Sequence, residues 1–90
     1  MPDSFTKDPA AVLDYAVDWT GWLPPDDHVT ASTWTAEVGL GIDASVLQGA
    51  VATVWLSGGD AGLTYRVTNH VTTAGGRVDE RSIKVRCKDR

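Results

Sequence analysis

An all-β sandwich of two antiparallel sheets, Ig-like or fibronectin-type with six to seven strands, is predicted by three features of this 90-residue chain. Apolar and polar residues alternate at period two over most of its length. Turn signals rich in Gly, Pro and Asp recur about every eight to twelve residues. No stretch longer than one turn carries helical spacing. Hydrophobic residues make up 42% of the chain, four of them Trp, which is an ordinary globular composition with a good supply of large core side chains. A chain of this length forms one domain with a modest core. Cys87 is the one cysteine, so no intramolecular disulfide staples the fold, and a reducing compartment is expected.

The elements follow in order. Residues 1–11 read as a flexible polar lead-in, and residues 12–90 as the sandwich domain. Pro2 and Pro9 oppose regular structure, and the polar residues between them bury too little to offset the entropy of ordering; the lead-in is expected to order on a neighbouring subunit. From Val12 onward Leu13, Tyr15, Val17 and Trp19 alternate with Asp14 and Asp18, the pattern of a half-buried strand. Thr20 to Asp27 is a loop, because Pro24 and Pro25 break any ladder. Near His28 a second strand begins, with Trp34, Ala36 and Val38 opposed to Thr33, Thr35 and Glu37. A weaker extended piece covers about Ile42 to Leu47 and ends at Gly49. Ala50 to Ser57, rich in β-branched residues, is a further strand. After the Gly-rich turn from Ser57 to Gly62, Thr64 to Thr73 sets Tyr65, Val67 and Val71 against Thr64, Arg66, Thr68, His70 and Thr72. Ala74-Gly75-Gly76 connects this strand to Ser82–Lys88, where Ile83, Val85 and Cys87 alternate with Lys84, Arg86 and Lys88. Tyr65 opens its strand after a Gly-rich corner, two residues before Val67, as in the tyrosine corner of Ig-like sandwiches. Asn69 falls on the apolar face, where it needs a hydrogen-bond partner or a bulge to turn it outward. The predicted core is Leu13, Tyr15, Val17, Trp19, Trp34, Ala36, Val38, Val54, Leu56, Tyr65, Val67, Val71, Ile83 and Val85.

Charge and motifs narrow the function. The net charge is −4 and the pI about 4.8, which argues against a nucleic-acid surface. No basic-then-apolar leader is visible, and no apolar run approaches the ~20 residues that span a bilayer. The basic residues concentrate late, at Arg77, Arg81, Lys84, Arg86, Lys88 and Arg90. They read either as the solvated outer face of a terminal strand or as one half of a contact with an acidic partner. No catalytic, cofactor or metal set can be composed. Asp26-Asp27-His28 is dense, but three adjacent loop residues make no ligand set. Asp14 and Asp18 share a strand face roughly 13 Å apart at ~3.3 Å per residue, too far for a glycosidase pair. Cys87 reads as a small buried hydrophobe. The Ser57–Gly62 turn lacks the Lys and following helix of a phosphate loop, and His70 stands alone. The chain is not expected to be an enzyme.

The order of local motifs resembles a known family. It runs Asp8-Pro9, Val12-Leu13-Asp14-Tyr15, Asp18-Trp19, Ser32-Thr33-Trp34, Val54-Trp55-Leu56-Ser57-Gly58-Gly59, Gly62, Tyr65, Thr68-Asn69, Val71-Thr72-Thr73, Gly76-Arg77 and Ser82-Ile83. This is similar to the small tailed-bacteriophage proteins known as fiber-tail adaptors or head–tail connectors, from about Asp8 to the C-terminus. The resemblance implies a non-enzymatic virion structural protein of a phage or prophage, made in the bacterial host cytoplasm. It would join components within the tail or between tail and fibers. Its partners would be other tail, connector or fiber proteins and further copies of itself in the particle. The rival reading is a carbohydrate- or surface-binding Ig-like module, whose mark is an exposed aromatic platform.

Trp55 is the candidate interface residue. If Val54 and Leu56 point inward, period two puts its indole on the outer face, where Trp is a frequent binding hot spot. The alternative is an inward Trp55, with Val54 and Leu56 beneath a covering loop.

Overall fold

The computed structural model describes residues 4–88. Met1–Asp3 of the expected lead-in, and Asp89 and Arg90 at the end of the basic run, lie outside the described residues. Alternating patterns and glycine turns build seven strands and no helix among the described residues: β1 (Ser4–Lys7), β2 (Leu13–Asp18), β3 (Val29–Ala36), β4 (Leu40–Gln48), β5 (Val51–Gly58), β6 (Thr64–Thr73) and β7 (Val78–Cys87). They form a four-stranded sheet in the order β1-β7-β6-β3 and a three-stranded sheet in the order β2-β5-β4. Lettered A to G in chain order, the sheets hold the B-E-D and C-F-G groupings of Ig-type sandwiches, with the first strand placed beside the last.

Period two decides what lies between the sheets. In β5, Ala52, Val54 and Leu56 are fully buried while Val51, Thr53, Trp55 and Ser57 are only half-buried. In β6 and β7 the buried sets are Tyr65, Val67 and Val71, and Ile83, Val85 and Cys87, held in step by the pairs Tyr65↔Val85 and Val67↔Ile83. Opposite them stand Tyr15 and Val17, paired with Val54 and Ala52. Each fully buried Val or Leu contributes roughly 1.5–3 kcal/mol.

Three sequence expectations change. Val38 is fully exposed, because β3 stops at Ala36 and a turn closed by Leu40 N–H on the Glu37 carbonyl (3.3 Å) carries Val38 at its tip. The core position expected there belongs to Leu40. Leu13 is 37% exposed, since it opens a strand at the sheet edge. Third, the segment read as a lead-in contains β1, which pairs in parallel with β7 from Ser4↔Lys84 to Lys7↔Cys87. Four residues with a single apolar side chain carry no readable period, so the pairing was not visible in the sequence. Phe5 packs on Tyr15 with ring centroids 5.0 Å apart.

Polar groups close the two ends of the sandwich. At the hairpin end Asn69, fully buried, accepts from Trp19 Nε1 (2.8 Å) and donates through Nδ2 to Ser32 Oγ (2.8 Å) and the Thr33 carbonyl (3.0 Å). Trp19 follows β2, whereas Asn69 and Ser32 belong to the other sheet, so the network ties one sheet to the other. At the corner end Lys7, also fully buried, donates from Nζ to the carbonyls of Asp8 and Gly58, both at 2.8 Å. That joins β1 to the end of β5 across the sheets. Tyr65 Oη accepts the Asp60 backbone N–H at 2.9 Å, the bond of a tyrosine corner. Its ring lies against Gly39 (φ 109°) and Gly59 (φ 93°), where a Cβ would come within 3.0 and 3.3 Å of it. These positions need glycine twice over, for conformation and for clearance.

Candidate interaction surfaces

β5 is the central strand of the three-stranded sheet, so its outward residues form the middle of that face. Because Val54 and Leu56 are fully buried, Trp55 projects to the outside, half-buried, in register with Asp14 on β2 and Ala44 on β4. A register shift between Ile42 and Ala44 places Asp43 on this side, where its Oδ1 accepts the Ser57 hydroxyl at 2.6 Å. The face is completed by Ala16, Thr53 and Val46, the last 48% exposed. It is an apolar strip with one indole at its centre and three exposed carboxylates, Asp14, Asp18 and Asp43, around it. Asp18 is held below its ordinary carboxyl range first by the Thr20 hydroxyl, then by the Thr20 backbone N–H, with help from the Arg81 charge.

The four-stranded sheet presents the opposite character. Its outer residues include Thr64, Arg66, Thr68, His70 and Thr72 on β6, each facing its β7 partner. At the corner end Ser4, Thr6, Thr64, Arg66, Lys84 and Arg86 line a shallow open groove together with Glu37 and Phe5. Arg66 stands directly opposite Lys84, and Thr6 and Thr64 flank Arg86. The sequence placed Lys84 and Arg86 on this face; Arg66, from a different strand, joins them only through the pairing.

The other candidates have structural surroundings. Asp27 bridges the loop before β3 to the β6–β7 hairpin. Its Oδ1 accepts from the His28 and Gly75 backbone N–H groups, both at 2.9 Å, and its Oδ2 pairs with Arg77 at 3.0 Å. The Thr73 hydroxyl, and with it these donors, holds the carboxyl at about 2. Asp27 is thus engaged in fastening a hairpin, and the described residues contain no group of three His, Cys, Asp or Glu placed to hold a metal ion. Cys87 is fully buried, with Sγ 3.8 Å from the Gly58 carbonyl. Arg81, which the sequence placed only in a basic run, lies 4.8 Å over the Trp19 ring.

No curated protein matches the chain. The model of one family does, over residues 7–86: the podophage GP4 fiber-tail adaptor protein gp77.

Proposed function

The chain belongs to the podophage fiber-tail adaptor family, and from that premise we propose that it is a non-enzymatic structural adaptor of the virion that docks on its neighbours through the Trp55 face. A tail adaptor is a component of the phage particle. On this reading it is made in the host cytoplasm and joins tail or connector proteins to fibers. The observation that carries the docking surface is the outward Trp55 in the middle of a sheet face whose core-side neighbours are fully buried. An indole half-covered by its own chain still offers a large apolar area at low entropic cost, which is why Trp anchors binding hot spots. Binding of glycans fits the face less well, since Trp55 is the single aromatic ring on it among the described residues and makes no platform.

Trp55→Ala is expected to leave the isolated domain folded, with a melting temperature close to that of the parent, and to weaken incorporation into particles by roughly 2 kcal/mol or more. Thermal melting paired with quantitation of the protein in purified particles reads both. A large loss of melting temperature with incorporation intact would assign Trp55 to the core and remove the proposal. Binding on a glycan array that Trp55→Ala abolishes would favour the carbohydrate module.

A further inference from the structure

We propose that the two outer faces of this protein are complementary to each other, so that the basic corner of the four-stranded sheet on one copy receives the acid-rimmed Trp55 face of the next copy. The contact is head-to-tail and leaves one free face at each end of any chain of copies. The inference rests on the reading of Trp55 as a docking residue and extends it to the occupant.

The first observation is uncompensated charge. The one ion pair among the described residues is Asp27–Arg77, so among those residues neither Arg66, Lys84 and Arg86 of the groove nor Asp14 and Asp43 beside Trp55 form one, while Asp18 has the Arg81 charge nearby. Arg66 and Lys84 are directly opposite across an antiparallel pair, an arrangement that costs stability in an isolated sheet. Among the described residues Glu37 is the one acid in the groove, and its Oε1 is occupied by the Arg66 backbone N–H at 2.6 Å.

The second observation is how the charges are spaced. Asp14 and Asp43 flank Trp55 from the two neighbouring strands, which at ~4.8 Å per strand puts them about 10 Å apart. On the other face Arg66 and Arg86 lie on a diagonal about 7–8 Å apart, on side chains long enough to close the difference. A guanidinium can therefore lie on the indole while its neighbours reach the carboxylates, combining a cation–π contact with charge pairing. Among the described residues the groove has no aromatic besides Phe5 and no second acid to offer, so two like faces have no comparable match. Such a contact is heterologous: it propagates, and it closes into a ring if the rotation between copies permits.

Sedimentation velocity of the full chain at low and high salt tests this, with melting curves to confirm folding. The wild-type chain is expected to self-associate at low salt and to dissociate at high salt. Lys84→Glu with Arg86→Glu, and separately Asp14→Lys with Asp43→Lys, should each weaken association by about a hundredfold or more, because like charges then meet. The decisive step is mixing. The first variant keeps an intact acidic face and the second an intact basic face, and their reversed faces are complementary to each other, so the two should pair with one another where neither associates with itself. Absence of pairs in the mixture overturns the proposal, as does a wild-type chain that stays monomeric at millimolar concentration. An acidic peptide bound in the groove of a chain that does not self-associate would assign the face to another protein. If the chain is monomeric while Trp55→Ala still blocks incorporation, self-pairing falls and the adaptor reading stands.

Discussion

The two ends of the sandwich solve the same problem with different chemistry. Both must hold one sheet against the other where the apolar core runs out. The hairpin end does it with side chains: Trp19, Asn69 and Ser32 form a neutral network, and Asp27 with Arg77 fastens the hairpin outside it. The corner end does it largely through backbone. Lys7 and Tyr65 reach main-chain groups of Gly58 and Asp60, and glycines provide the room. A side-chain network fails when any member is lost, because its partners stay buried and unsatisfied. Ties to backbone at a partly solvated turn are individually weaker, since the released groups have water nearby. The hairpin end is therefore expected to be the more sensitive to single substitutions, and the corner end to open first.

The sharpest test is Asn69→Ala, which strips Trp19 Nε1 and Ser32 Oγ of their partner inside the core and should cost about 3 kcal/mol in chemical unfolding. Lys7→Met preserves the bulk but removes the donor shared by two carbonyls, and should cost about 2 kcal/mol. It should also speed amide exchange in β1 relative to β6 and β7. A larger loss for Lys7→Met than for Asn69→Ala would invert the ranking of the two ends. Tyr65→Phe removes one hydrogen bond without emptying the space, and about 1 kcal/mol is expected. The smallest effect concerns acid. The Asp27 carboxyl titrates near 2 in the folded chain against an ordinary 3.8, so its contribution is complete above about pH 4 and is lost as the pH falls toward 2. Asp27→Asn should flatten the melting-temperature profile in that window, and an unchanged profile would detach Asp27 from the acid limb.

Much of this was readable from residues. β6 keeps the same limits in sequence and structure, because ten residues whose alternation is broken only at Asn69 and the terminal Thr73 leave one solution, and Tyr65 was recognisable from its place after a glycine corner. Asn69 was legible as a conflict: an amide on an apolar face demands a partner, and the structure supplies Trp19 from the opposite sheet. Trp55 was ambiguous only until Val54 and Leu56 could be seen to share the core. What escaped has a common cause. Lys7 satisfies itself on backbone carbonyls, and carbonyls have no sequence signature. Val38 obeyed the period but lay at the tip of the turn that follows its strand. Arg66 joins Lys84 and Arg86 by cross-strand register, which no linear run of charge reveals.

The seat of Cys87 has a use as well as a cause. Its sulfur occupies the space where a side chain on Gly59 would begin, and the residue has no exposed surface. A thiol reagent can react only after the glycine corner has swung away from the last strand. The rate of that reaction under native conditions is therefore a clock built into the chain, reporting how often this end of the molecule breathes, without any label added to it.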